Sequence, residues 1–203
     1  MNRRNWIRTG AALSVAGTTL SRVGPACGKE GEKTAVAVNC DLFVYGSTPG
    51  GLAAAIEAAR HGCEVVLACP QVHPGGMTAS GLCTTDAVRR HLFGGLVLEF
   101  IEGVRQDYRR ELGEDSPDWP LIRDGWFYEP SVAERVFERM LEAEAERLSF
   151  LRGHHLAGAA VREGRVVSVA LEQPGGGELT VAARTFVDAT YEGDLAAAAD
   201  VPY

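Results

Sequence analysis

The stretch Asp41-Leu-Phe-Val-Tyr-Gly-Ser-Thr-Pro-Gly-Gly-Leu-Ala-Ala-Ala-Ile56 decides the fold. A short apolar run, Leu42–Tyr45, stops at Gly46, and a glycine-rich turn leads at once into an alanine-rich segment. Leu52, Ala55, Ile56 and Ala59 recur there at helical spacing, which predicts a helix from Gly51 to His61 with Gly62 as its stop. A helix start carries unpaired N–H groups and partial positive charge, so a diphosphate can rest there without a lysine. The turn Gly46-x-Thr48-x-x-Gly51 follows the dinucleotide pattern G-x-G-x-x-G except at its middle, where Thr48 stands for glycine. The first glycine makes the tight turn and the last lets helix and strand approach. Gly50 and the Thr48 hydroxyl are the groups available to replace the middle one.

Moving outward, Glu64–Ala68 reads as a buried strand of parallel-sheet type. Dinucleotide-binding units usually carry a ribose-binding acid at the end of this second strand, about 20 residues past the glycine turn. Here that place holds Cys69, followed by Pro70, and Glu64 lies at the wrong end. Beyond it runs a glycine-rich loop, Pro74–Gly81, and then a helix predicted over Leu92–Tyr108 with Leu96, Phe100, Val104 and Tyr108 inward. Residues 109–128, acidic and irregular, read as a lid or edge excursion. Ser131-Val-Ala-Glu134 reads as a capping box opening a helix to about Arg147. Three short strands follow as an antiparallel meander, Leu156–Val161, Arg165–Leu171 and Leu179–Ala183, with turns at Glu163-Gly164 and Pro174–Gly177. A last buried strand, Thr185–Val187, runs into Asp188-Ala-Thr-Tyr-Glu-Gly-Asp194. The expected class is α/β, a Rossmann-like parallel sheet with a helical insertion and an antiparallel β-meander.

Four separated motifs then carry a resemblance: Gly46-Ser-Thr-Pro-Gly-Gly-Leu-Ala-Ala-Ala55, Pro74-Gly-Gly-Met-Thr-Ala-Ser-Gly-Leu-Cys-Thr-Thr-Asp86, Tyr128-Glu-Pro-Ser-Val-Ala-Glu134 and Phe186-Val-Asp-Ala-Thr-Tyr-Glu-Gly-Asp-Leu195. In this order they resemble the FAD-dependent oxidoreductases with the glutathione-reductase-type FAD fold, over about residues 40–203. The resemblance implies FAD as cofactor and a small organic molecule as substrate. It places the FAD diphosphate on Gly46, Thr48, Pro49, Gly50 and Gly51, and the adenosine ribose by Cys69 and Pro70. Gly75, Gly76, Met77 and Thr78 would run along the diphosphate and ribityl chain. A backbone group at Leu156 would meet the adenine edge. Ala189 and Thr190 would close over the cofactor, with Tyr191 where relatives of the A-T-G type have glycine. Relatives of this kind continue past the Asp188–Asp194 motif into a substrate domain, so residues 40–203 are expected to be a truncated FAD-binding domain. Two other readings stay open on the residues alone: a non-catalytic nucleotide-binding remnant, and a nicotinamide-dependent dehydrogenase, which the missing ribose acid disfavours.

Composition sets the remaining bounds. The chain has 203 residues, a formal charge of −7 and 46% hydrophobic residues, the proportions of a globular protein. Residues 1–26 hold four arginines and no acid, which leaves 16 basic against 27 acidic side chains beyond them. No basic run offers a face to nucleic acid. Arg3-Arg4 ahead of the mildly apolar Ala11–Leu20 resembles a twin-arginine export signal over 1–27, and predicts a periplasmic or cell-surface protein. Gly24-Pro-Ala-Cys27 loosely resembles a lipoprotein box, so membrane contact is expected only through the signal or through lipid on Cys27. Residues 28–39 read as a tether. The five cysteines have no metal-ligand spacing, and His154-His155 reads as surface, so no metal is expected. Asp86 and Glu129 are single loop acids, and no catalytic acid or base emerges.

Overall fold

A computed structural model describes residues 36–202. The stretch read as an export signal, Cys27 and the stretch read as a tether up to residue 35 lie outside the described residues. The first strand, β1, spans Val36–Tyr45 and leads through the glycine turn into helix α1, Pro49–Arg60. Strand β2 is Val65–Cys69, followed by a single helical turn, α2, Gly76–Ala79. Helix α3 is Leu96–Glu111, α4 is Pro130–Glu142, and β3 is Leu148–Arg152. Strands β4, His155–Arg162, and β5, Arg165–Glu172, precede the long β6, Glu178–Asp188, and the short helix α5, Asp194–Ala198.

These strands form one six-stranded sheet in the order β3-β2-β1-β6-β5-β4. The first four are parallel neighbours; β5 and β4 continue the sheet antiparallel. Alternation along the strands divides the core. Val44, Val65 and Leu67 meet Leu52, Ile56, Val104, Val132 and Val136 from the helices on one face. Phe43, Tyr45, Val66 and Ala68 face the other way, and Val169, Leu171, Val181 and Leu195 cover them. The sheet therefore folds back on itself beyond β6, far enough for the Tyr45 hydroxyl to accept the Leu156 N–H at 2.9 Å.

Several predicted elements shift. β1 begins at Val36, inside the stretch read as tether, because residues 36–40 pair with Leu179–Ala183 of β6. The same pairing merges the expected strands Leu179–Ala183 and Thr185–Val187 into one. α4 starts with Pro130 at its first position, so Ser131 lies within the first turn and the capping box does not form; Glu129 is the N-cap residue, without a side-chain cap bond. α4 also stops at Glu142, and Leu148–Arg152 becomes an edge strand against β2, which the sequence pattern does not single out. Within residues 109–128, read as a lid or edge excursion, the 3-10 turn Trp119–Gly125 packs on α3, and Ile122 in it and Trp126 after it are buried. Among the described residues no helix is long and apolar enough to cross a membrane. Cys40, Cys63, Cys69 and Cys83 are free thiols, and burial pushes Cys40 up to about 11.

The α3–α4 contact holds a buried acid. Asp107 is 4% exposed and accepts from Arg139 of α4 through both oxygens, at 2.9 and 3.1 Å, and from Arg110 of its own helix. Burial pushes its pKa up, but the Arg139 and Arg110 hydrogen bonds outweigh that and hold it below the ordinary carboxylate range. A depressed folded pKa means stabilisation that is complete above the unfolded pKa, about 4, and is lost as pH falls through the folded value. Asp107→Ala is expected to cost about 1–3 kcal/mol at neutral pH, and less in acid. Denaturant unfolding at pH 7 and pH 3 checks both; an equal loss at the two would refute the charge argument.

Candidate functional site

The corner between β1 and α1 is built by what it lacks. Gly46 sits at φ +106°, and a Cβ on it would lie 2.6 Å from the Ala189 carbonyl. A Cβ on Gly51 would come within 2.1 Å of the Gly46 oxygen. Both outer glycines of the motif are thus required by the fold itself. Thr48, at the middle position, is the N-cap: its hydroxyl accepts from the Gly51 N–H at 3.2 Å and donates to the Ala189 carbonyl at 2.8 Å. Its one proton is therefore spent, and it cannot act as the phosphate donor that its position suggests. Pro49 has no N–H, and the Leu52 N–H already closes onto the Thr48 carbonyl at 2.9 Å. That leaves the Gly50 N–H as the first-turn donor outside these bonds, on a residue with open space in front of it.

Beside this corner, where the parallel strands end, lies a cleft of about 320 Å³. Its walls come from Gly46–Thr48, Pro70-Gln71, His73-Pro74, the α2 turn and Thr190–Glu192 with Asp194. This position, outside the carboxyl ends of parallel strands, is where open α/β sheets bind ligands. The size falls at the low end of the roughly 300–1,000 Å³ of small-molecule sites. Among the described residues no lysine or arginine lines it; Glu192 and Asp194 make one wall acidic, and the His73 ring pairs with Glu134 at 2.5 Å. Tyr191, half exposed, reaches over the cleft and accepts the Met77 N–H at 2.8 Å, its hydroxyl occupying the space beside Gly76.

The Asp188–Asp194 segment turns its polar groups inward. Asp188 Oδ1 takes the Thr190 N–H and hydroxyl at 3.0 and 2.7 Å, and Oδ2 takes the Ala196 N–H at 2.8 Å. The Thr190 hydroxyl in turn accepts from the Gly193 and Asp194 N–H groups, each at 2.9 Å. Burial raises the Asp188 pKa, but the bonds from Thr190, Ala196 and Leu195 hold it below the usual carboxylate range. The segment acts as a scaffold for α5.

Of the residues singled out from the sequence, Gly46, Thr48, Pro70, Gly76, Met77 and Thr190 line the cleft. Pro49 and Thr78 instead border a separate apolar pocket of about 170 Å³ with Leu52, Phe100 and Phe137. Gly75 packs against the Phe137 ring and Ala189 against Gly51. The Leu156 N–H is already taken by Tyr45. Cys69 is 2% exposed and lies outside the cleft wall; its sulfur accepts the Ser47 hydroxyl at 3.1 Å and donates to Gln71 Oε1 at 2.8 Å. Ser47 and Gln71 are cleft residues that the glycine pattern did not reveal; the signal was a polar side chain two positions beyond the missing acid. Among the described residues no cluster of His, Cys, Asp and Glu could hold a metal ion.

The sequence model of the family described as FAD dependent oxidoreductase matches residues 41–203. No curated protein matches the chain. Among solved structures, the chain is similar to a glycerol-3-phosphate dehydrogenase from Bacillus halodurans complexed with FAD, at 17% identity and a TM-score of 0.55, over 80% of this chain and 36% of that one. It is also similar to the myxobacterial chondrochloren halogenase CndH, described as a variant of FAD-dependent halogenases, at 21% identity and a TM-score of 0.52, over 75% and 37% of the two chains. A third likeness is to Mycobacterium smegmatis Sdh1, at 15% identity and a TM-score of 0.52, over 76% and 34%. These likenesses show the fold, and the chain spans about a third of each of those proteins.

Thr48 can be tested directly. Thr48→Val keeps the shape but strips the cap from the Gly51 N–H and releases Ala189, and is expected to cost about 1–2 kcal/mol. Thr48→Ser retains the hydroxyl and should recover most of the loss in the same denaturant titration.

Proposed function

The chain belongs to the FAD dependent oxidoreductase family, and on that premise we propose that its cleft receives the diphosphate and adjoining sugar of FAD, in a protein that exchanges electrons with a small organic substrate. The observation that carries this reading is the first turn of α1, where Pro49 has no N–H, those of Gly51 and Leu52 are engaged, and the Gly50 N–H stands at an open, positively polarised helix start beside the cleft. The residues present suit such a group. Gly46, Thr48, Pro49, Gly51 and Ala189 would build the corner, and Gly50, Pro70, Gly76, Met77 and Thr190 would border the ligand. The bound flavin would supply the redox chemistry. Tyr191, exposed and held to Met77 by one hydrogen bond, would yield that N–H to a ligand oxygen at small cost. Glu192 and Asp194 would keep negative charge away from their side of the cleft and so orient the diphosphate toward the helix. Gly75, Thr78, Cys69 and Leu156 would act behind this surface.

The purified chain, mixed with FAD and freed of excess by gel filtration, is expected to retain flavin with a perturbed visible spectrum. Complete loss of flavin at that step would sink the cofactor reading for these residues.

Export is proposed with it, supported by the arginine pair and the absence of acids in residues 1–26. Replacing Arg3-Arg4 with Lys-Lys is expected to leave the product in the cytoplasm, and unchanged export in a fractionation assay would refute it.

A further inference from the structure

We propose that Gln71 replaces the ribose-binding acid of dinucleotide folds, reading the adenosine ribose of FAD with an amide whose orientation is set by the buried Cys69 thiol. The inference rests on the FAD reading above and deepens it.

The place at issue is the end of β2, where an acid would accept from ribose hydroxyls. Cys69 stands there with its sulfur buried, so it cannot take that part itself. The sulfur lies in a directed chain of hydrogen bonds. Ser47, 3% exposed, gives its only hydroxyl proton to the sulfur at 3.1 Å. The thiol in turn donates to Gln71 Oε1 at 2.8 Å, the acceptor atom of the amide. The amide is thus fixed with Nε2 and both its N–H groups turned away from the thiol, on an exposed residue that forms part of the cleft wall.

The backbone around Gln71 is held as firmly. Pro70 restricts the chain as it leaves β2. The Gln71 carbonyl accepts the Gly153 N–H at 3.3 Å, and Arg152 donates to the Val72 carbonyl at 2.8 Å, so the end of β3 clamps this turn on both sides. An unanchored surface glutamine would lose several rotamers on binding a ligand; this one has lost them in advance. The chemistry also suits the surroundings. Among the described residues the cleft contains Glu192 and Asp194 and no lysine or arginine, so a third carboxylate would add repulsion toward a diphosphate. A neutral amide can donate to a ribose hydroxyl oxygen without that charge.

The test is calorimetric titration of the full chain with FAD and with an FAD analogue whose adenosine lacks the ribose 2′- and 3′-hydroxyls. The wild-type chain is expected to bind the analogue about 2- to 10-fold more weakly, the worth of one neutral hydrogen bond. Gln71→Met, close in size and without an amide, should bind FAD more weakly by a similar factor and no longer distinguish the two ligands. Cys69→Ser, which can still donate to Oε1, should keep the discrimination, and Cys69→Ala should blunt it. Equal binding of both ligands by the wild-type chain would overturn the proposal, as would full discrimination by Gln71→Met. Full discrimination by Cys69→Ala would overturn the thiol's part in it. A wild-type chain that binds neither ligand would instead refute the FAD reading, and the ribose contact would fall with it. Thermal unfolding of the ligand-free variants separates lost binding from lost structure.

Discussion

The Thr48 hydroxyl is the contact on which the corner depends. It caps the Gly51 N–H three residues ahead and donates to the carbonyl of Ala189, 141 residues away in the chain. The two bonds join the start of α1 to the exit of β6, whose last rung pairs Asp188 with Tyr45 and continues in an Ala189 N–H bond to the Tyr45 carbonyl at 2.8 Å. Gly46 and Gly51 have no side chains because these three segments meet there at backbone contact. A dinucleotide corner with glycine at the middle position would lack this tie, and would have to hold the β6 exit by other means. The departure from the glycine pattern is therefore a gain in rigidity obtained at a position where a ligand contact is usually expected.

The same economy governs the Asp188–Asp194 turn. Both oxygens of Asp188 accept from neighbouring groups and the Thr190 hydroxyl gives its one proton to Asp188, so neither side chain has a donor to spare for a bound anion. Two polar residues that look functional in the sequence, Asp188 and Thr190, hold the wall, and the surface left for a ligand includes backbone, small side chains, the Gln71 amide and the exposed ring of Tyr191. Binding at such a surface is decided by the placement of amide dipoles, which is why small displacements of the supporting shell would matter more than any single charge.

How far the sequence revealed this follows from the range of each interaction. The βα unit at Asp41–Arg60 was legible because its signals are local: an apolar run, a turn that only glycine permits, and apolar residues at helical spacing. The helices α3 and α4 were legible as amphipathic segments, with ends displaced by a few residues; α4 starts one residue before Ser131 because Pro130 takes the first helical position. The edge strand β3 and the front half of β1 were not legible, because each becomes a strand through a partner distant in sequence, β2 for one and β6 for the other. In the site, the close approach at Gly46 and Gly51 could be read in advance from the turn pattern. The destination of the Thr48 hydroxyl could not, nor the Ser47–Cys69–Gln71 chain, since hydrogen-bond direction depends on which side chains meet across two loops.

Among the described residues the cleft wall holds no lysine or arginine, which bears on what it can select. Beyond residue 26 the chain carries 16 basic and 27 acidic side chains, so its long-range field repels anions. A free phosphate would gain little at this corner, because the partial charge of one helix start acts only within its first turn. A dinucleotide differs in that its sugar and base extend away from the diphosphate along walls that can contribute apolar and hydrogen-bonded contact. The acidic rim at Glu192 and Asp194 then penalises bare anions more than it penalises a ligand whose charge is confined to the helix side. Selectivity of this kind needs an oriented neutral group at the sugar end, and the amide of Gln71, with its oxygen already engaged by the buried thiol, is the polar group of the cleft wall placed to meet that requirement.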